Sequence, residues 1–239
     1  MFIEKSNSGR RLVISDIHGC AKTLRVLIEN IIIPGKNDQI FFLGDYIDRG
    51  PDSAGVLDYL IELKKQNSIL FFLKGNHEEN ILNAYKEYDK ETFMFFVKRI
   101  NKSMDLLSDD GSIKVEYLNF FNQLEYYFET NSHFIVHAGF NFNSEKPFED
   151  KISMLELRRT ELENAKRFIG EKTILHGHQV TPLAEIMKTI SERKKVIPLD
   201  NGCYYTKPHK IYDVSQTGNL CCFNIDTYEL ILQKNIEGQ

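Results

Sequence analysis

Several features are scarce in this chain of 239 residues. It has no tryptophan, no run of 18 apolar residues and only four cysteines, with no Cys-x-x-Cys spacing among them. The lack of a long apolar run excludes a membrane-spanning helix. The cysteine spacing favours reduced, packed thiols over a zinc site or disulfides. Cys221 and Cys222 are adjacent, so in a strand they would point to opposite faces.

An excess of basic charge is also missing. The chain has 30 Lys and Arg against 34 Asp and Glu, which gives a formal net charge of -4. Such a balance provides no basic field for a nucleic-acid backbone, so we expect no stable nucleic-acid partner. The amino terminus lacks the basic-then-apolar pattern of a secretion signal. We therefore expect a cytoplasmic protein without membrane contact, and no feature predicts its oligomeric state.

Five short apolar runs are each followed by a polar loop. The runs lie at 11–15, 39–43, 69–73, 133–136 and 173–175. Helical patterns over 21–30 and 54–66 separate the first three, and this alternation favours a layered α/β fold. At 239 residues with 42% apolar content, we expect one domain over 1–239. Ligands of such sheets gather at the carboxyl ends of the strands.

The loops after the first three runs carry carboxylate, imidazole, guanidinium and amide groups. The residues are Asp16 and His18, then Asp45, Asp48 and Arg49, then Asn76 and His77. Asp and His two positions apart point the same way along an extended path. Each loop also has a structural alternative, such as a capping box formed by Asn76 and Glu79 at the start of a helix.

The last two loops add histidines in His137-Ala138-Gly139 and His176-Gly177-His178. Five of the seven histidines thus follow strands, whereas His133 begins one and is expected to be structural. Recurrence at five strand ends favours a joint metal site over five separate structural roles. Mixed oxygen and nitrogen ligands, too many for one tetrahedral ion, predict two cations about 3.5 to 4 Å apart with a bridging carboxylate.

The rest of the chain shows no recognisable chemistry. Residues 80–125 are predicted to be a mainly helical cap or insertion that shapes substrate access. Aromatics at helical spacing are expected in the core rather than on a base-stacking surface; they are Phe93, Phe95, Phe96, Tyr117, Phe120 and Phe121. A helix is predicted over 151–167, and runs at 196–200, 220–225 and 228–232 are predicted to form strands of a second sheet.

The motifs DIHG, GDYIDRG, GNHE, HAG and HGH occur in this order between residues 16 and 178. Together they resemble the motifs of calcineurin-like metallophosphoesterases, specifically PPP-type serine/threonine protein phosphatases in their bacterial form. The resemblance implies a four-layer αββα sandwich of two mixed sheets flanked by helices, with a mainly helical insertion.

The resemblance also implies roles for individual residues. One metal would be held by Asp16, His18 and Asp45. Asp45 would bridge to a second metal, held also by Asn76, His137 and His178. His77, paired with Asp48, would protonate the leaving group.

Arg49 and a second arginine would bind phosphate oxygens. Bacterial members commonly have tryptophan before that second arginine, whereas the matching position here is Glu156. The choice between Arg158 and Arg159 stays open, and we expect Arg158. His176 is not assigned to the ligand set. The motif LKGNHE in place of LRGNHE, and the missing carboxyl-terminal substrate-loop signature of the eukaryotic branch, favour a bacterial-type enzyme.

The expected function is therefore that of a dinuclear metal-dependent phosphomonoesterase. It would dephosphorylate phosphoserine and phosphothreonine in proteins by direct attack of a metal-bridging hydroxide, with manganese expected first and iron or zinc as alternatives. Symmetrical hydrolysis of diadenosine tetraphosphate or a related nucleotide is the alternative, because the motifs also resemble those of the enzyme that performs this reaction. A phosphodiesterase or a non-catalytic phosphate-binding protein are further alternatives; the latter predicts the loss of a ligand, and every expected position is filled.

Overall fold

The apolar runs form two β-sheets in a computed structural model that describes residues 1–6, 8–66, 69–207 and 213–238. The strands are β1 (Arg11–Ile14), β2 (Gln39–Phe42), β3 (Ile69–Phe72), β4 (Tyr127–Glu129), β5 (His133–Val136), β6 (Thr173–His176), β7 (Val196–Pro198), β8 (Asn219–Asn224) and β9 (Glu229–Lys234). The first sheet has the order β3-β2-β1-β8-β9, and the second has the order β4-β5-β6-β7.

Strand direction places the functional loops at the ends of parallel strands. Strands β1, β2 and β3 are parallel neighbours, as are β5, β6 and β7. Their carboxyl ends therefore lie along one edge of each sheet, as expected for a ligand site. The prediction that 220–225 and 228–232 join the second sheet is wrong, because β8 pairs antiparallel with β1. An apolar run identifies a strand, but the strand with which it pairs depends on contacts between residues that are distant in sequence.

The helices lie between the strands. They are α1 (Ala21–Val26), α2 (Ser53–Lys65), α3 (Asn76–Glu87), α4 (Lys90–Phe96), α5 (Val115–Phe121), α6 (Lys151–Glu156), α7 (Lys166–Ile169) and α8 (Leu183–Ser191). Helices α1 and α4 continue as π-helical segments, Leu27–Ile32 and Val97–Asn101, and a 3₁₀ turn covers Met104–Leu106. The single helix predicted over 151–167 is wrong, since exposed polar residues between α6 and α7 offer no apolar face for packing.

Alternation along the strands of the first sheet produces four layers. Leu12 and Ile14 pack in a core with helices α1 and α2, whereas Val13 packs in the core between the two sheets. The outer face of the second sheet packs against α6 and α7. This arrangement confirms the four-layer α/β prediction. All four cysteines are free and buried, and Cys221 and Cys222 lie in different cores, as predicted.

The predicted helical insertion shares a core with the first sheet. Phe93, Tyr117, Phe120 and Phe121 are buried there, which confirms their prediction as core residues, and Phe96 packs against that core from a partly buried position. The prediction is wrong for Phe95, which is 62% exposed. One domain over 1–239 stays a prediction, supported by this shared core. In the described ranges, every helix is too short or too polar to cross a lipid bilayer.

His133 generates a stability prediction. It is buried in β5, with Nδ1 2.8 Å from the Ser132 hydroxyl oxygen and Nε2 3.4 Å from the Tyr228 hydroxyl oxygen. Burial and the Arg11 charge lower the pKa of His133 to about 4, against the opposing charge of Asp226. The unfolded chain therefore takes up this proton first as the pH falls. The stability contribution is present above the ordinary pKa of about 6.5 and is lost toward pH 4.

Between pH 7 and pH 5, we expect the free energy of unfolding to fall by about 1 to 2 kcal/mol more in the natural protein than in His133→Gln. Urea unfolding of both proteins at the two pH values measures this difference. Equal losses would contradict a neutral, buried His133.

Candidate active site

The loops after β1, β2, β3, β5 and β6 meet at one place. His178 donates a backbone hydrogen bond to Asp16 Oδ2 at 2.7 Å, across 162 positions of sequence. His77 donates its backbone N–H to Asp45 Oδ1 at 3.1 Å. The first of these hydrogen bonds joins the loops after β1 and β6, and the second joins the loops after β2 and β3. The loop after β5 joins them through His137, described below.

Asp45 lies between two groups of potential ligands. Its Oδ2 is 3.5 Å from His18 Nε2, and its Oδ1 is 3.6 Å from His137 Nε2. The two oxygens of one buried carboxylate therefore face different imidazoles. This arrangement is compatible with a carboxylate shared by two cations.

The first group consists of Asp45, His137 and His178, whose ligand atoms lie within 4.8 Å of one another. The Asn76 side-chain amide joins them, with its Oδ1 atom 3.1 Å from His137 Nε2 and 3.2 Å from His178 Nδ1. The capping role considered for Asn76 is wrong. Gly75 is the N-cap residue of α3, which leaves the Asn76 side chain to face the site.

Backbone carbonyls set the tautomers of two histidines. His18 Nδ1 is 3.0 Å from the Ile47 carbonyl oxygen, and His137 Nδ1 is 2.8 Å from that of Leu43. Since a carbonyl only accepts, each Nδ1 carries a proton, and in the neutral ring each Nε2 presents a lone pair. Metal-binding histidines are held in this way. The Asn76 oxygen beside the His137 lone pair is then a contact between two acceptors, which a cation would relieve; without one, the amide can turn its NH₂ group toward His137, His178 and Asp45.

The second group consists of His18, Asp45 and His77, again within 4.8 Å. Asp16 is buried nearby, and its Oδ1 has no hydrogen-bond partner. Burial and the charges of Asp200 and Asp45 raise the pKa of Asp16 well above its usual range. A carboxylate oxygen left bare in such surroundings fits a cation as its partner. Residue 177 has no space for a side chain beside this carboxylate, since a Cβ atom at Gly177 would lie 1.9 Å from Asp16 Oδ1.

The donor set therefore fits two divalent cations, with oxygen and imidazole ligands that suit manganese, iron or zinc. The six predicted metal ligands stay a prediction, although all six lie in this region. His77 is an addition to the second group, but its Nδ1 already contacts Asp48 and only its Nε2 faces the other ligands.

His77 and Asp48 form a tight pair at the edge of the site. Asp48 Oδ2 lies 2.6 Å from His77 Nδ1, and His77 Nε2 lies 3.4 Å from Arg49 Nε. Burial lowers the pKa of His77, but the Asp45 charge and the hydrogen bond with Asp48 raise it more, to about 9 in the metal-free protein. The ring of His77 is thus held by a carboxylate, and its raised pKa lets it carry a proton at neutral pH.

An open cavity of about 250 Å³ lies over these groups. Arg158 lines it, and so does Glu156, whereas Arg159 is not among the described lining residues. His176 is not among them either, and its Nδ1 contacts the Gly177 carbonyl oxygen at 3.0 Å. The lining residues are His18, Arg49, Asn76, Glu156, Arg158, His178, Gln179, Val180, Asp200, Tyr204 and Tyr205.

Backbone strain is concentrated in this site. Nine described non-glycine residues have positive φ, and five of them are site residues. They are His18, Asp45, Asp48, Arg49 and His178. Left-handed conformations cost free energy in such residues and persist where surrounding contacts hold them, which is common at functional sites.

Glu78 provides part of that support and was missed by the sequence analysis. Its carboxylate accepts backbone hydrogen bonds from Gly75, Asp45 and Tyr46 at 2.9 to 3.0 Å. The loop after β2 is thereby tied to the start of α3. The position of Glu78 inside GNHE was a signal that could have identified it.

Asp200 and Tyr204 were also missed. Asp200 follows β7 and is buried, with Oδ1 accepting from the Gly202 N–H at 2.7 Å and Oδ2 unpartnered. The rule that polar residues follow strands would have found it. Tyr204 places its hydroxyl 2.5 Å from Arg49 Nη1, and its ring under the guanidinium, 4.9 Å from ring centroid to Cζ. No local pattern marks Tyr204.

Comparison with known proteins identifies the family. The profile of the calcineurin-like phosphoesterase family matches residues 9–220. The chain belongs to this family. Metallophosphoesterases of this family are hydrolases with a dinuclear metal site, in agreement with the two groups of ligands that share Asp45.

Curated relatives match this metallophosphoesterase over shorter stretches. The symmetrical bis(5'-nucleosyl)-tetraphosphatase of Buchnera aphidicola subsp. Schizaphis graminum is 40% identical over 83 residues, 34% of this chain and 29% of that protein. The enzyme of the same name from Cellvibrio japonicus is 30% identical over 130 residues, 53% of this chain and 43% of that protein. The chain thus spans less than half the length of these relatives.

Solved structures share the fold over nearly the whole chain. A putative diadenosine tetraphosphatase is 20% identical with a TM-score of 0.64, and the match covers 99% of both chains. A protein serine/threonine phosphatase from Saccharomyces cerevisiae is 16% identical with a TM-score of 0.62, covering all of this chain and 84% of that one. At this identity the likeness extends to the fold alone.

The position of Asp45 predicts the effect of Asp45→Asn. Asparagine tolerates the positive φ of this residue but lacks the charge that two cations would share. We expect metal content, measured by elemental analysis, to fall below two ions per chain, and turnover to fall by about a thousandfold. Asp109→Asn, at an exposed position, is the control. Two bound ions and normal turnover in Asp45→Asn would show that Asp45 is not the shared ligand.

Proposed function

We propose that this metallophosphoesterase hydrolyses phosphate monoesters, with phosphoserine and phosphothreonine in proteins as substrates. The observation that carries the proposal is the pair of His77 and Asp48 beside Arg49, at the edge of the ligand groups. Alkyl phosphates release a strongly basic alkoxide, so their hydrolysis depends on a positioned acid. We include in the proposal the metal ligands Asp16, His18, Asp45, Asn76, His137 and His178.

The contact between His77 and Arg49 indicates where a phosphoryl group would bind. Arg49 Nε donates toward His77 Nε2 at 3.4 Å. When His77 is protonated, both nitrogens are donors and the contact has no acceptor. A phosphoryl oxygen between them would accept from each, with Arg158 supplying further donors from the cavity wall.

The chain's own residues then have distinct tasks. Arg49 and Arg158 orient the phosphoryl group and stabilise the charge that spreads over its oxygens in a loose transition state. His77 gives its Nε2 proton to the leaving oxygen, and Asp48 keeps the ring oriented through Nδ1. Two divalent cations, when bound, would supply a water of lowered pKa and neutralise phosphoryl charge.

Symmetrical hydrolysis of diadenosine tetraphosphate is the second candidate. The names of the curated relatives favour it. Its leaving group is a nucleoside diphosphate, a weaker base than an alkoxide, so this reaction depends less on His77.

Turnover of a phosphothreonine peptide and of diadenosine tetraphosphate by the manganese-loaded protein separates the two candidates. The first predicts inorganic phosphate from the peptide, and the second predicts two molecules of ADP. Selective turnover of the dinucleotide would overturn the first proposal. Selective turnover of bis(p-nitrophenyl) phosphate would overturn both.

His77→Asn is expected to keep both metal ions while losing the acid. We expect kcat for an alkyl phosphate to fall by about 10² to 10⁴, and kcat for p-nitrophenyl phosphate to fall much less, because p-nitrophenolate leaves without protonation. Steady-state rates on both esters, together with metal content, measure this. Loss of a metal ion from the variant would instead assign His77 to the ligands.

Arg158 and Arg159 form a matched pair of adjacent, exposed arginines, of which Arg158 lines the cavity. We expect Arg158→Ala to raise KM for phosphate esters by about tenfold, because a charge-assisted hydrogen bond is lost. Arg159→Ala should change KM less than about twofold. The reverse order would move the phosphate site away from Arg158.

A further inference from the structure

Two residues of the helical insertion contact the carboxylate of Asp48. Asn101 Nδ2 is 2.5 Å from Asp48 Oδ2, and the Ser103 hydroxyl oxygen is 2.6 Å from Asp48 Oδ1. With His77 Nδ1 on Oδ2, this buried carboxylate has three partners. Each oxygen has at least one fixed contact, so the carboxylate plane cannot rotate without breaking a hydrogen bond.

The direction of these hydrogen bonds follows from counting protons. Ser53 accepts the Asp48 N–H at 2.9 Å, and its oxygen lies 3.0 Å from that of Ser103. Ser103 has a single proton, and the ionised carboxylate can only accept it. Ser53 must therefore donate to Ser103, and Ser103 to Asp48. Both the backbone and the side chain of Asp48 are held by this chain of hydroxyls.

The amide of Asn101 is oriented by the same logic. Its NH₂ faces Asp48, because the opposite orientation would place an amide oxygen against a carboxylate oxygen. In this orientation Asn101 Oδ1 is buried without a hydrogen-bond partner. Buried polar groups are usually paired, and the amide of Asn101 finds its partner in Asp48.

The two residues flank a sharp turn in the insertion. Asn101 ends the π-helical segment Val97–Asn101, and Ser103 precedes the 3₁₀ turn Met104–Leu106. Lys102, between them, has φ of 62° and an exposed side chain. Asn101 and Ser103 are 6% and 0% exposed, so the turn buries them against Asp48.

We propose that Asn101 and Ser103 are positioning residues for the chemical step: they hold the Asp48 carboxylate and thereby orient the His77 ring toward the leaving oxygen. The helical insertion then takes part in catalysis rather than only shaping access. This inference rests on the proposed role of His77 as the acid.

The test uses Asn101→Ala and Ser103→Ala in the manganese-loaded protein. For an alkyl phosphate we expect kcat to fall about tenfold in each variant, with KM and metal content nearly unchanged. The thermal unfolding temperature should fall by a few degrees, because each variant loses a buried hydrogen bond to a carboxylate. For p-nitrophenyl phosphate, we expect kcat to change less than about twofold. Lys98→Ala, at an exposed position of the same segment, is the control and should match the natural protein on both esters.

A double-mutant comparison makes the test specific. In the His77→Asn background, Asn101→Ala and Ser103→Ala should have no further effect on the alkyl phosphate, because the ring they orient is gone. Equal losses on both esters, or losses that persist without His77, would overturn the inference. If His77→Asn lowers kcat equally for both esters, the proposed role of His77 as the acid is wrong. If His77→Asn mainly affects the alkyl phosphate, whereas Asn101→Ala and Ser103→Ala do not, only the positioning role is wrong.

Discussion

Three carboxyl groups buried close together, with few positive charges among them, are the constraint on which this structure depends. Asp16, Asp45 and Asp200 are buried in one region, where Asp45 raises the pKa of His77 and burial raises the pKa values of Asp16 and Asp200. Burial lowers the pKa of His18 to about 3 and that of His178 to about 4, so both imidazoles are neutral. Bound cations would relieve this crowding, since the carboxylates and the imidazole lone pairs could then serve as their ligands.

This arrangement is held by hydrogen bonds between different loops rather than by contacts within a single helix or strand. Asp16 accepts from the backbone of His178, and Glu78 accepts from three backbone N–H groups around Asp45. Such contacts hold ligand residues in left-handed conformations that they would not adopt alone. The two sheets beneath the loops fix the positions from which the loops start. Ligand geometry thus depends on both sheets at once.

The potential metal ligands and the rest of the cavity wall come from different parts of the chain. The ligand groups come from the strand ends, whereas the cavity wall is completed by Arg158 after α6 and by Tyr204 near the carboxyl-terminal strands. The stacking of Arg49 on Tyr204 connects the two parts.

Much of the candidate site could be predicted to come together because each potential ligand residue follows a strand, and parallel strands end at a common edge. The motifs GDYIDRG and HGH, for example, can each be recognised within a few consecutive residues. Asn101, Ser103 and Tyr204 could not be predicted in this way, because their partners lie 53 to 155 positions away. The sheet containing β8 was wrongly predicted for the same reason.

The sequence by itself therefore determined the α/β class, the order of the five loops and the residue types suited to bind metal and phosphate, since these depend on local periodicity and on the chemistry of single side chains. Only the tertiary structure decided which strands pair, how close the imidazoles of the two groups lie to Asp45, and that the insertion contacts Asp48. Those outcomes depend on distances between residues remote in sequence, which are set when helices and sheets pack together.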